Sequence, residues 1–582
     1  MSTTEDTGAK RSKVEHLKES SHGLRGRIAE ELANSADAFE EETAQLLKHH
    51  GMYQQDDRDL RGAKGPDGKK LGKAYSLMVR TKLPGGKVTW QQLLDELDLC
   101  DRYGNGTLRL TNRQDFQMHA VLKRNVREVV RRINEAKMTT LGACGDVERN
   151  VLCCPAPLKH HRIHEQLQEL ADRFSTHFLP RSRAYHEVWL TDPDTGDKEL
   201  VGGGGADGDS EPFYGNTYLP RKFKTAIALP HDNCIDVYAN DLGLIAVVED
   251  NRIIGFNVVV GGGFGITPSN KNTFPAVAKR LCFIEPENVI PLAEAIIGVW
   301  RDHGNRADRK RARLKYLLAD WGLDAYRAKV EEYYGRKLAD PHPTDVHGFD
   351  DHIGWYEQGD GNWFYGLNVE NGRILDRDGF TLKSALREIC QRFKPALRVT
   401  AHQSILFGDI RPEDRSALED VLRRHGVKLS CEISTVRRWS MACVALPTCP
   451  LAVTESERVM PALIDQLEVE LARLGLSNER FTTRMTGCPN GCARTYNAEI
   501  GLVGKTLNKY TIYLGGRLLG DRLAFIYKDL VPLDQIVPAL VPVLAYFKHD
   551  RQEGESLGDF CHRKGPADLL AWADQHSSST GA

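Results

Sequence analysis

Apolar and polar positions alternate along this chain with two periods, and the order of those periods recurs. The run Tyr75-Ser-Leu-Met-Val-Arg80-Thr-Lys82-Leu-Pro-Gly-Gly86 predicts a strand closed by a turn. A helical spacing of apolar positions spans residues 90–103, followed by an extended run, Gly106-Thr-Leu-Arg109-Leu-Thr-Asn-Arg113-Gln114. The same order returns in residues 364–372, then 382–393, then Ala396-Leu-Arg398-Val-Thr-Ala-His-Gln403. A charged amphipathic helix follows each copy, at 125–137 and 414–425. Strand, turn, helix, strand, helix is a compact α/β half-domain used twice.

The segments behind each half-domain also match. Asp241-Leu-Gly-Leu-Ile245 precedes Val260-Gly-Gly-Gly263, and Glu499-Ile-Gly-Leu-Val503 precedes Leu514-Gly-Gly516. The chain therefore reads as an α/β (α+β) protein with two copies of a two-part unit and pseudo-twofold symmetry. The expected divisions are an N-terminal arm and helices (1–66), a first half-domain (67–141), a first binding domain (142–345), a second half-domain (346–428) and a second binding domain (429–582). The interface between the copies is the natural place for a site. Residues 1–18 read as a loosely ordered arm, 192–212 as a mobile surface loop, and 577–582 as a frayed tail.

Composition narrows the function. The 582 residues carry 78 Lys+Arg against 80 Asp+Glu, a net charge of -2, which argues against a general nucleic-acid binder but allows a local basic pocket. The N-terminus has no apolar export segment, and the apolar stretch 536–547, broken by Pro538 and Pro542, is far shorter than the ~18 residues a membrane helix needs. The expected location is cytoplasmic, where cysteines more often bind metal or do redox chemistry than pair in disulfides.

Four of the 13 cysteines form an array. Cys443 and Cys449 lie within Ala442-Cys-Val-Ala-Leu-Pro-Thr-Cys-Pro450, and Cys488 and Cys492 within Thr486-Gly-Cys-Pro-Asn-Gly-Cys492. The wider first gap fits an iron-sulfur cluster better than a structural zinc site. Cys100, Cys282 and Cys390 stand in apolar patterns and read as buried small hydrophobes. His160, His161 and His164 follow Pro155 and Pro157 and read as a solvated helix start, outside the site.

These cysteine motifs, with Glu499-Ile-Gly-Leu-Val-Gly-Lys505, resemble the signature of the siroheme- and 4Fe-4S-dependent nitrite and sulfite reductases. Further matching segments are Arg109-Leu-Thr-Asn-Arg113-Gln-Asp-Phe-Gln117, Arg149-Asn-Val-Leu, Leu219-Pro-Arg-Lys222-Phe-Lys224 and Asn257-Val-Val-Val-Gly-Gly-Gly263. The resemblance is strongest to the assimilatory sulfite-reducing hemoproteins. It implies duplicated ferredoxin-like half-domains, two siroheme- and cluster-binding domains, and six-electron reduction of sulfite to sulfide in sulfate assimilation and cysteine biosynthesis.

By the same resemblance, Cys443, Cys449, Cys488 and Cys492 ligate the cluster, and Cys492 also bridges to the siroheme iron. Arg80, Arg149, Lys222 and Lys224 surround the substrate, holding sulfite oxygens, with the lysines as proton donors. Arg109, Arg113, Gln117 and Arg221 contact siroheme carboxylates. Arg109 and Arg113, four apart on an expected strand, would face one side. Asn257, Gly261, Gly262 and Gly263 let backbone approach the macrocycle. Gly145 stands where some members carry an asparagine, so that contact is not transferred. The nearest rival is ferredoxin-dependent nitrite reduction to ammonia, against which Lys224 argues. A rival of another class is a cysteine-ligated zinc protein. No nucleotide or flavin fingerprint is evident, so electrons are expected from a partner, either ferredoxin or an NADPH-dependent flavoprotein.

Overall fold

A computed structural model describes residues 11–576 except 67, 71, 182–186, 193, 194, 197 and 204–210. The two predicted helices occupy Trp90–Tyr103 and Leu382–Phe393. Thr89 starts the first with a reciprocal cap: its hydroxyl accepts from Gln92 N at 3.2 Å, and the Gln92 amide oxygen accepts from Thr89 N at 2.9 Å. Leu93 and Leu97 bury the same face that Ala385, Leu386 and Ile389 present from the other copy, in one shared core. The half-domains are thus halves of one hydrophobic unit.

Strand exchange ties them further. One sheet runs Met52–Asp56, Tyr75–Thr81, Phe116–Val121, Leu108–Leu110, and ends on Arg373–Ile374 from the second copy. Its counterpart runs Gly354–Glu357, Trp363–Leu367, Ile405–Ile410, Ala396–Val399, and ends on Lys87–Val88 from the first. The repeat expected from the sequence lacks the strands Phe116–Val121 and Ile405–Ile410. In the first of these, buried His119 interrupts the apolar pattern.

The other two sheets share one topology. Leu152–Cys153, Thr225–Ala228 and Leu242–Glu249 are parallel, and Arg252–Val260 and Lys279–Ile284 are added antiparallel. Ser440–Ala442, Thr483–Thr486 and Ile500–Thr506 repeat the parallel part, and Lys509–Leu514 and Phe525–Pro532 the antiparallel part. Leu242 pairs with Thr225 as Ile500 pairs with Thr483, so the registers superimpose residue by residue.

Two expectations need correction. The arm is helical over Lys13–Glu19 and docked: buried Lys18 donates to Glu15 Oε1 at 2.7 Å and to Leu219 O at 2.8 Å, and pairs with Asp146 at 3.4 Å. A buried cation so held anchors a segment whose polar composition reads as loose. Within the expected loop, Lys198–Gly203 is a strand paired with Glu187–Thr191. Residues 1–10, 204–210 and 577–582 lie outside the described residues. No helix among the described residues is long and apolar enough to cross a membrane.

Candidate functional site

The motif cysteines lie at the ends of two neighbouring parallel strands. Cys443 follows Ser440–Ala442, and its backbone N–H donates to Met485 O at 3.2 Å. Cys488 and Cys492 stand in the loop after Thr483–Thr486, where Gly487 N donates to Cys443 Sγ at 3.4 Å. Gly491 has φ 61°, and a side chain there would come within 2.7 Å of the Tyr496 ring, so this turn requires glycine. Burial pushes the Cys443, Cys449 and Cys488 thiols up to about 12, and the neighbouring motif thiolates push in the same direction. Three such thiols ionise together only if a cationic body neutralises them. Among the described residues, the one set of metal-ligating side chains whose ligand atoms lie within 4.8 Å of one another is a different one, Cys154, Asp232, Cys234 and His352.

A cleft faces this loop. Its walls carry Asn112, Arg113, Lys222, Lys224 and Arg313 from the first copy, and Asn490, Cys492 and Arg494 from the second. Lys222 and Lys224 flank Phe223, which is fully buried and bridges Glu148, so alternation turns both lysines to the other side. Neither ammonium has an ion-pair partner among the described residues. Burial first, then surrounding cations, hold both well below the usual lysine range: Arg149, Arg313 and Arg221 act on Lys222, and Lys222, Arg113 and Arg313 on Lys224. Burial also lowers Arg113 and Arg494 to about 10, and the Nε of each is buried without a partner. This is a pocket short of negative charge, and it fits an anionic macrocycle with an anionic substrate.

Strand pairing places other expected residues in a row. Arg80 lies opposite Gln117, Gln117 opposite Arg109, and Arg109 opposite Arg373, across four adjacent strands. Gln117 accepts from Arg80 in its favoured amide orientation. Arg80 also donates to Cys144 Sγ at 3.0 Å. Arg149 donates to Gly145 O at 3.1 Å and to the Tyr53 hydroxyl at 3.4 Å. Arg109 donates to Ala442 O at 2.7 Å and pairs with Glu457 at 3.2 Å, so it braces the segment that carries Cys443. Arg221 stands 3.9 Å from Asp146.

Arg113 departs from expectation. The strand ends at Leu110, and Arg113 lies in the following turn, donating to Asn240 Oδ1 at 2.8 Å and to Asn150 O. Its proximity to the cleft comes from that turn and not from a face shared with Arg109. Asn257 also departs: its amide donates to His342 O at 2.8 Å and Thr344 O at 2.6 Å and accepts from His342 N at 2.7 Å, which fastens a loop. At Gly261, Gly262 and Gly263 an added Cβ would meet Leu318 at 2.3 Å, Tyr238 O at 2.2 Å and Arg313 at 2.5 Å, so the close approach there is by the chain's own atoms. His160 and His161 are exposed as expected, but His164 is buried. Cys100, Cys282 and Cys390 are buried and free.

Arg313 and Arg494 carry no sequence motif. Arg313 is clamped by Asp241 through contacts of 2.9, 2.8 and 2.8 Å. Arg494 pairs with Asp236 at 2.9 Å. Arg494 could have been found from the repeat, because it stands at the place of Asp236 and both have left-handed backbone, with φ 59° and 53°.

Comparison with known proteins agrees with this geometry. A model described as "Nitrite and sulphite reductase 4Fe-4S domain" matches residues 145–338, and "Nitrite/Sulfite reductase ferredoxin-like half domain" matches 70–136 and 356–425. The first span is the copy without the motif cysteines. A Staphylococcus haemolyticus protein named NADPH sulfite reductase hemoprotein beta-component is 42% identical over 97% of this chain and 96% of its own. One of the same name from Chromohalobacter salexigens is 44% identical over 97% of both. The structure of Mycobacterium tuberculosis NirA protein superposes with a TM-score of 0.77 at 26% identity, covering 96% of this chain and 98% of that one. With both half-domains matched and relatives aligned from end to end, this chain belongs to the nitrite and sulphite reductase family.

Proposed function

We propose that this protein is the catalytic hemoprotein of an assimilatory sulfite reductase, reducing sulfite to sulfide with six electrons. The observation that carries the reading is the cleft in which unpaired Lys222 and Lys224 face Cys492. Cys443, Cys449, Cys488 and Cys492 would hold a 4Fe-4S cluster, and Cys492, which lines the cleft, would also help to hold siroheme. Arg113, Arg494, Arg109, Gln117 and Arg221 would hold siroheme carboxylates. Siroheme and cluster together supply the electron storage and iron site that no side chain provides.

The chain's own residues do the rest. Lys222, Lys224, Arg80 and Arg149 bind the sulfite oxygens and offset their charge as S–O bonds break. The lysines, whose burial favours the neutral amine, release protons readily to departing oxygens, whereas the arginines keep theirs. Arg313, fixed by Asp241, keeps the wall behind them positive.

The relatives' names carry both NADPH and a beta-component, which supports an NADPH-linked flavoprotein as electron donor over ferredoxin. The proposed location is the cytoplasm, where thiol ligands such as the four motif cysteines stay reduced. The test is turnover of the purified protein with sulfite and with nitrite, first on a dye reductant and then on each donor protein. Higher kcat/KM with sulfite supports the reading, and a clear preference for nitrite would assign the chain to nitrite reduction.

A further inference from the structure

Four side chains outside the cationic cleft meet at a second point. Cys154 follows the strand Leu152–Cys153, Asp232 and Cys234 stand in the loop after Thr225–Ala228, and His352 lies two residues before Gly354–Glu357. All four are buried, and their ligand atoms lie within 4.8 Å of one another. Cys154 Sγ is 2.8 Å from Asp232 Oδ2 and 3.6 Å from His352 Nε2, and His352 Nε2 is 2.9 Å from Asp232 Oδ2.

We propose that Cys154, Cys234, His352 and Asp232 form a structural zinc site. Two sulfurs, one imidazole nitrogen and one carboxylate oxygen make a closed tetrahedral donor set with no position left for substrate. Zinc bonds of about 2.0–2.3 Å imply ligand–ligand edges of roughly 3.3–3.8 Å. The Cys154–His352 separation already has that length, and the two hydrogen-bonded edges need open by less than about 1 Å. Binding displaces the thiol protons to solvent, with no change of oxidation state.

The outer layer is in place. Asp232 Oδ1 accepts from Cys234 N at 3.0 Å and from Asp350 N at 3.2 Å, which leaves Oδ2 turned to the centre. Asp350 Oδ1 accepts from His352 N at 2.8 Å, tying the histidine segment to the same frame.

The repeat explains why thiols stand here. Cys153 pairs with Ile227 as Ala442 pairs with Met485, so Cys154 occupies the place of Cys443. By the same register Cys234 occupies the place of Cys492, and Pro230 that of Cys488. Two thiols are too few for a four-iron cluster. A carboxylate and an imidazole complete a smaller site suited to one ion. That ion would brace the loop carrying Ile235 and Asp236, behind the cleft wall.

The experiment is zinc analysis of the full-length holoprotein, prepared without chelators from zinc-replete cells, by elemental mass spectrometry and zinc K-edge absorption. The expected result is about one zinc per chain in addition to iron, with a shell of about two sulfurs near 2.3 Å and about two nitrogen or oxygen atoms near 2.0 Å. Cys154→Ser and Cys234→Ser should each lose it, while Cys431→Ser, at an exposed thiol, should keep it. Wild-type protein with no zinc above buffer background, zinc without sulfur neighbours, or a Cys154–Cys234 disulfide in the peptide map would overturn the proposal. The wild-type measurement decides even if the serine variants do not fold.

Discussion

Lys224→Asn removes one of the two unpaired ammonium groups of the cleft and keeps a hydrogen-bonding side chain there. Lys224 lies on the cleft side of an extended segment whose other side, Phe223, is locked in the core, so the backbone should hold its course. A hydrogen bond to a charged group contributes about 1.5–3 kcal/mol, which corresponds to roughly a 10- to 150-fold loss of kcat/KM for sulfite. Nitrite carries less charge and fewer oxygens, so its kcat/KM should fall less and the nitrite-to-sulfite ratio should rise. Steady-state rates for both anions on a dye reductant, normalised to iron content, measure this. Equal losses for the two anions, or an unchanged sulfite rate, would refute the assignment of Lys224 to sulfite recognition.

Other perturbations test the surroundings. Asp241→Asn strands buried Arg313, and breaking such a pair costs about 3–5 kcal/mol; its melting temperature should drop, and Asp241→Asn with Arg313→Leu should recover part of the loss. Cys449→Ser should abolish acid-labile sulfide, whereas Cys390→Ser, in the half-domain core, should leave it unchanged. Burial raises Glu96, which accepts from Thr81, to about 7, so the stability it contributes is full below pH 4.5 and is lost as pH rises through 7. Glu96→Gln should therefore match wild type in thermal unfolding at about pH 4 and gain up to about 3 kcal/mol at about pH 8.5; equal curves at both pH values would contradict that sign.

Elements with strong local periodicity were legible in the sequence. Trp90–Tyr103 and Leu382–Phe393 each carry one apolar face, and the structure keeps both ends where the pattern puts them. The exchanged strands Lys87–Val88 and Arg373–Ile374 are two residues long, and their pairing is set by the other copy, so no local pattern announces them. The site divides in the same way. The spacing of Cys443, Cys449, Cys488 and Cys492 is chemistry written in order, and it survives without coordinates. Arg113 lies off the strand that its spacing suggests because Leu110 ends that strand, and Asn257, expected beside the macrocycle, has its amide taken by a distant loop at His342 and Thr344. Arg313 enters the cleft only through the fold, held by Asp241 from across the domain.

The most direct test of the central claim is an optical spectrum of the purified protein together with its iron and acid-labile sulfide content. The account predicts strong visible absorption of siroheme that shifts on adding sulfite, with about five irons and about four sulfides per chain. A colourless protein, or iron without labile sulfide, would contradict it.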